Sequence, residues 1–286
     1  MDQRIIELYD EYTHRPLARR VFMERLVGIV GSVAAAEAAL ALIAPNYAQA
    51  AIVSETDARV TTAPFDNAAS GIKGYIAAPK GVSPAASNNF VIAIHENRGL
   101  NPHIQDIARR LATDGFVAMA PDLLLPLGGT PKDEDQAREM FAKVDLEKTA
   151  DSLAALINDL KAKNPKLKVG VVGFCWGGSM VNLLATKAPN LDAAVSYYGV
   201  APKLEDTSKI KAQMLLQLGA LDTRVNATIP PFEEAMAKAG VKYEVFRYEG
   251  ANHAFNNDTG AERYHEPSAK LAWTRTIALL KAKLAG

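Results

Sequence analysis

Residues 168–180 read KVGVVGFCWGGSM. The first seven, Lys168 to Phe174, form an almost unbroken apolar run, which is how a strand buried on both faces reads. The run that follows, GGSMVNLLATKAP, predicts a helix stopped before Pro189. Between the two stands Gly173-Phe174-Cys175-Trp176-Gly177, the pattern G-x-C-x-G. A chain passing straight from strand to helix must turn sharply. Side chains two positions either side of the apex would then strike the neighbouring strand and helix, so glycine is needed at both. The apex residue is held at a helix N-terminus, where free N–H groups and aligned peptide dipoles favour a thiolate. The stretch therefore makes Cys175 a candidate nucleophile and the backbone N–H of Trp176 a candidate oxyanion donor.

The alternation extends outward in both directions. Strands are predicted at 71–79 (GIKGYIAAP), 88–96 (NNFVIAIHE), 116–122 (FVAMAPD), 191–199 (LDAAVSYYG), 213–219 (QMLLQLG) and 242–250 (KYEVFRYEG). Helical patterns lie at 103–115, in two pieces across 136–165, at 229–240 and at 268–284. Strands separated by helices imply an α/β fold, a mainly parallel central sheet with helices on both faces. We read residues 51–286 as that single domain and 1–50 as an N-terminal leader or helical extension. The segment 123–135, LLLPLGGTPKDED, is expected to be a rim or lid. With 49% hydrophobic residues among 286, the chain can bury a large core. Its 32 basic and 32 acidic residues cancel, which argues against nucleic acid as a partner. A single cysteine excludes an internal disulfide, and no Cys/His spacing of a metal site is visible, so neither metal nor cofactor is expected.

A thiol nucleophile needs a base, and the base needs a group to orient it. With this elbow in an α/β-hydrolase fold, acid and histidine follow the nucleophile in that order. Of five histidines, only His253 and His265 follow Cys175. His253, in GANHAF, falls just past the last predicted strand, where ligands bind beyond the carboxyl ends of parallel strands. His265 lies deeper in a loop before the final helix. For the acid, Asp222 in LLQLGALDTRV closely follows a strand, whereas Asp206 and Asp258 have none leading into them. The expected triad is Cys175–His253–Asp222.

GFCWGG, LDTRV and GANHAF resemble the dienelactone hydrolase family of α/β-hydrolases, in order and spacing, from about residue 70 onward. The stretch VIAIHENRGLNPHIQDIARRLATDGFVAMAPD strengthens the resemblance. The resemblance implies that Glu96 sits beside the thiol and keeps it neutral until substrate displaces the carboxylate. It also implies the backbone N–H of Asn97 as the second oxyanion donor, with His95 structural. The family's substrate-binding arginine after the histidine is replaced here by Asn257. Arg98, Arg138 or Arg224 are the candidate substitutes, and Trp176, Tyr197, Tyr198 and Phe255 the candidate pocket aromatics. Arg98, Tyr198 and Phe255 are the substrate contacts expected from this reading. The implied reaction is hydrolysis of a small ester or lactone through an acyl-cysteine intermediate. Acyl transfer or cleavage of another ester by the same triad is the alternative, and a non-catalytic thiol sensor a third reading.

The first fifty residues differ from the rest. Arg19-Arg20, the apolar run 27–45 and Ala48-Gln49-Ala50 resemble a twin-arginine export signal with a cleavage site, which would place the mature protein in the periplasm from Ala51. Glu37 interrupts the apolar run, and no stable membrane insertion is expected. The alternative is a cytoplasmic protein that retains an amphipathic N-terminal segment packed on the main domain. The sequence does not set the oligomeric state.

Overall fold

The computed structural model describes residues 1–47 and 51–285. The expected cleavage site at Ala48 and Ala50 lies outside them. Eight strands form one sheet: β1 (Val60–Asn67), β2 (Ile72–Pro79), β3 (Asn89–Ile94), β4 (Val117–Pro121), β5 (Lys168–Phe174), β6 (Ala193–Tyr197), β7 (Gln213–Gly219) and β8 (Tyr243–Tyr248). Their spatial order is β1-β2-β4-β3-β5-β6-β7-β8. The pairs β1–β2 and β2–β4 are antiparallel, and every other pair is parallel. This is the expected α/β-hydrolase architecture. Sequence reading did not place β1, VTTAPFDN, because it has no apolar run and carries Pro64. It is an edge strand, where proline is tolerated.

Ten helices follow in chain order among the described residues: α1 (Gln3–His14), α2 (Arg19–Val30), α3 (Val33–Ile43), α4 (Pro102–Thr113), α5 (Glu134–Phe141), α6 (Leu146–Lys163), α7 (Trp176–Lys187), α8 (Thr223–Asn226), α9 (Ile229–Lys238) and α10 (Glu266–Leu284). Apolar residues of α6, α7 and α9 form one core with the sheet, and those of α4 and α10 form a second. Both faces are thereby covered, which is why the central strands read as continuous apolar runs.

The N-terminal extension folds as three helices with a small core of its own. Tyr9, Tyr12, Phe22, Leu26, Ala36 and Ile43 are buried there, and the rings of Tyr12 and Phe22 stack at 4.4 Å. Gly31 ends α2 with φ 86°, and Ser32 caps α3 by accepting from Ala35 N–H. The two helices meet at 107°, and no single described helix is long and apolar enough to cross a membrane. Arg19 pairs with Asp135 at 2.8 Å and Arg20 with Glu24 at 2.6 Å.

At the end of β5, Cys175 adopts φ 58°, ψ −114°, in the left-handed half of the map. A Cβ at Gly177 would overlap the carbonyls of Ile94 and His95, and one at Gly173 would overlap the carbonyl of Gly177. Both elbow glycines are thus required by backbone atoms that cannot move aside. We expect Gly177→Ala to destabilise the fold by about 2–3 kcal/mol, the range for overpacking at a fixed backbone. Urea denaturation monitored by far-ultraviolet circular dichroism checks this. An unshifted midpoint would mean that the turn has room to relax.

Candidate active site

Strand ends assemble the site. Cys175 follows β5, Asp222 follows β7 and His253 follows β8, all at the carboxyl edge of the parallel sheet. The three are buried, with 6%, 5% and 4% of their surface exposed. His253 Nδ1 bonds Asp222 Oδ2 at 2.6 Å, which turns Nε2 toward the thiol. Burial opposes ionisation of Asp222, but the adjacent His253 outweighs it and lowers the carboxyl below its usual range. The geometry thus brings together the three residues that sequence order had selected. One link differs from expectation. His253 Nε2 is buried and makes no hydrogen bond.

The sulfur's hydrogen bond goes instead to a residue that sequence reasoning passed over. His14, at the end of α1, places Nε2 3.0 Å from Cys175 Sγ. Its ring packs edge-on against His253, with centroids 4.6 Å apart. His14 Nδ1 lies 3.0 Å from the Asp10 carboxylate, one helical turn back. Asp10 also accepts from Arg224 Nε at 2.8 Å. Two carboxylate–imidazole pairs, Asp10–His14 and Asp222–His253, therefore converge on one sulfur. The reactive atoms of His14, Cys175 and His253 lie within 4.8 Å of one another. His14 was missed because the search followed the order nucleophile, acid, histidine, and His14 precedes the nucleophile. The available signal was the spacing of Asp10 and His14, which share one helix face four residues apart.

Further contacts bind α1 to the catalytic face. Asn97 Nδ2 donates to the Thr13 carbonyl at 2.7 Å, Tyr12 Oη donates to Asp135 at 2.7 Å, and Arg138 Nη1 donates to the Tyr12 carbonyl at 2.6 Å. Arg138 and Arg263 lie over the rings of Tyr12 and Tyr9. The expected roles of Asn97 and Arg138 thus gain a structural part: both hold the N-terminal segment.

Glu96 is buried at the end of the β3 loop, lining a small void shared with Cys175. Its carboxylate accepts from Asn257 Nδ2 at 3.0 Å and from Tyr198 Oη at 3.5 Å. Asn257, where the family arginine would fall, is therefore a partner of Glu96. Burial and the Glu96 charge push the Tyr198 phenol well above its usual range, so it acts as a neutral donor. His95 is structural, bonded to the Glu96 carbonyl and to Leu123 N–H and stacked on Trp176.

A cleft of about 990 Å³ opens beside the sulfur, between the 13–19 turn and α5. Trp176, Tyr198, Phe141, Leu17 and Val200 supply apolar walls, and Arg138 and Arg224 are among the cations that line it. Two expected substrate contacts lie outside this cleft. Phe255 is fully buried among Tyr197, Tyr198 and Tyr248, because aromatic packing behind the site claims it. Arg98 is buried, donates to Asn97 and lies 3.5 Å from Glu134, so it lines only the small void and an outer groove. Tyr198 does line the cleft. The cleft's rim is α5 and the turn after it; of the expected rim 123–135, Asp135 at the start of α5 is the described residue that lines it.

Fold and site together define an α/β-hydrolase with a cysteine at the elbow. A family model described as the dienelactone hydrolase family matches residues 72–284, and the chain belongs to that family, a class of ester and lactone hydrolases. A protein from Synechocystis sp. named "Putative carboxymethylenebutenolidase" is 31% identical over 80% of this chain and 98% of its own length. "Protein usf" of Aquifex pyrophilus is 34% identical over 74% of this chain and 94% of its own. A Klebsiella pneumoniae structure described as a "Putative Dienelactone Hydrolase" superposes with TM-score 0.69 at 29% identity, covering 77% of this chain and 98% of that one.

The charges on α1 make its docking pH-dependent. Burial disfavours the Asp10 carboxylate, but His253, His14 and Arg224 outweigh it, so the group is held far below its ordinary value of 3.8. Its contribution is present above that value and is lost only as pH falls through the lower folded one. Burial likewise opposes the His14 imidazolium, yet the Cys175 sulfur and Asp10 raise it above its ordinary 6.5. That contribution is full below the ordinary value and is lost as pH rises through the folded one. Docking should therefore be tightest between about pH 4 and pH 6.5. Hydrogen exchange, corrected for intrinsic rates, should show less protection of α1 amides at pH 9 than at pH 5.5. Equal protection would remove the electrostatic tie.

Proposed function

We propose that this chain hydrolyses a small ester or lactone through an acyl-cysteine intermediate, with Cys175 as nucleophile. The observation that carries the reading is the convergence of the sulfur with two carboxylate-backed imidazoles at the inner end of a cleft. His14, hydrogen-bonded to the sulfur and favoured in its charged form, pairs with the thiolate. Attack on the carbonyl develops an oxyanion, which the N–H groups of Trp176 and Asn97 receive, each donor worth about 3 kcal/mol, or roughly a hundredfold in rate. His253, whose Nε2 has no hydrogen-bond partner among the described residues, enters the reaction protonated on that nitrogen, gives the proton to the leaving oxygen and regains one from the water that cleaves the acyl-enzyme. Asp222 holds the ring through Nδ1, stabilises its charged form and keeps Nε2 facing the substrate.

This division of labour changes the part given to Glu96. The sulfur already has an imidazole partner, so its activation need not wait for a carboxylate to move. Glu96 instead positions Tyr198 on the cleft wall and holds Asn257. The apolar walls suit a hydrophobic acyl or lactone ring, and Arg224, which lines the cleft together with the sulfur, is a cation that an anionic substrate group could meet there. Carboxymethylenebutenolidase relatives are named for a lactone that carries a carboxylate, which agrees with that placement.

We also propose that residues 1–47 stay with the catalytic domain, because cleavage near Ala51 would remove both His14 and Asp10. Periplasmic export rests on the twin-arginine-like sequence alone. Intact-mass measurement on protein from its native host decides retention: loss of about fifty residues would reject it.

For the chemistry, Cys175→Ala should abolish turnover of p-nitrophenyl acetate, and Cys175→Ser should retain the geometry but lose most of the rate. Undiminished turnover by the alanine variant would end this reading. His14→Ala should lower kcat/KM by about tenfold to a thousandfold and slow iodoacetamide alkylation of Cys175 at neutral pH. His253→Ala should abolish turnover while leaving alkylation measurable, since the sulfur keeps its His14 partner.

A further inference from the structure

The arrangement around the sulfur has a second chemical meaning. Thiolate and imidazole nitrogen are the donors that zinc-type cations prefer, and three such donors with one open position make a familiar incomplete tetrahedron. Here the donors are His14 Nε2, Cys175 Sγ and His253 Nε2, the one such group among the described residues whose ligand atoms gather this closely, within 4.8 Å. A tetrahedral zinc ion would need them about 3.3–3.6 Å apart, given bonds near 2.0 Å to nitrogen and 2.3 Å to sulfur. The sulfur and His14 stand at 3.0 Å, so small opposite movements of the two rings meet that requirement.

Three independent features point to a cation. First, His253 is 4% exposed, yet its Nε2 is buried without any hydrogen-bond partner. A buried imidazole nitrogen is normally satisfied, so an unfilled one aimed at a thiol calls for a ligand. Second, both imidazoles carry a carboxylate on the opposite nitrogen: Asp10 on His14 at 3.0 Å and Asp222 on His253 at 2.6 Å. That outer carboxylate is the usual companion of a metal-bound histidine, because it fixes the tautomer and makes the ring a better donor. Third, the surrounding charge leaves room for a cation: the thiolate and the carboxylates of Asp10, Asp222 and Glu96 face the three guanidinium groups of Arg224, Arg98 and Arg263. All three donor residues line the cleft, from which water or a small ligand could supply a fourth donor.

We propose that His14, Cys175 and His253 form a binding site for a single zinc-type divalent cation, and that its occupancy silences the thiol. Binding forms one metal–sulfur and two metal–nitrogen bonds. The thiol proton, and that of His14 where it is charged, pass to solvent, and no electron is transferred. The inhibitory consequence rests on the acyl-cysteine reading, whereas the site itself does not. A bound sulfur cannot attack a carbonyl, and a bound His253 cannot protonate a leaving group.

The test uses the reduced full-length chain and cobalt(II) as the probe, because cobalt reports ligand type and geometry without turnover. Titration should give one cobalt per chain, a thiolate-to-cobalt charge-transfer band in the near ultraviolet and intense visible bands of tetrahedral geometry. Zinc(II) should displace it and bleach both. In Cys175→Ala the charge-transfer band should vanish. Asp10→Asn should weaken binding by about tenfold to a hundredfold, and His14→Ala, which removes a ligand, by more. Circular dichroism of each variant establishes that the fold is intact. Absence of the charge-transfer band in the parent protein, its persistence in Cys175→Ala, or equal affinity in a folded His14→Ala would overturn the site. If cobalt binds as described but zinc leaves ester turnover unchanged, the inhibitory claim fails while the site stands. If no ester is turned over at all, the spectrum still decides the site.

Discussion

The strained turn at Cys175 is the constraint on which the rest of the molecule depends. A side chain held at φ 58°, ψ −114° has left the strand but stands before the helix. It can be held there only where nothing larger than glycine sits at positions 173 and 177. Tyr198 and Ala254 are the two other non-glycine residues with positive φ among those described, and both follow strands at the same edge. Backbone strain is therefore confined to the catalytic edge, where the sheet's hydrogen bonds and two apolar cores over-determine the chain path. The rigidity of β3, β5, β7 and β8 fixes Glu96, Cys175, Asp222 and His253 relative to one another.

The N-terminal extension, which precedes the residues 72–284 matched by the family model, adds to that frame. Its helices bury their own aromatic core and then meet the domain mainly through polar and cation–π contacts: Asp10 with Arg224, Thr13 with Asn97, Tyr12 with Arg138 and Asp135. Such an interface is specific in direction and sensitive to charge, unlike a purely apolar one. It delivers one imidazole to the thiol and forms one wall of the cleft. Access to the sulfur is thus tied to the state of α1.

Two imidazoles around one sulfur also resolve a chemical tension. A thiolate needs a permanent positive partner, whereas the group that serves the leaving oxygen must be free to give and take a proton. A single histidine can serve the two tasks in succession, whereas the proposed mechanism divides them between two rings. Here His14 takes the pairing and His253 Nε2 stays unengaged. The arrangement that suits this division is also one that a soft cation would find complete.

Much of this was legible in the chain itself. The apolar runs around residues 91, 117, 171, 195 and 216 declare buried parallel strands, because only strands covered on both faces lack a polar side. Gly173-x-Cys175-x-Gly177 declares the turn, because no other residue fits it, and strand-end position identified Asp222 and His253. Sequence could not show what depends on through-space approach. β1 was invisible because its strand character comes from main-chain pairing with β2 rather than from side-chain pattern. Phe255 read as a pocket residue, and packing decided that it lies behind the pocket. His14 is 161 positions from the sulfur it touches. No local periodicity encodes that contact; it exists only because charge pairing and packing lay α1 across the carboxyl edge of the sheet.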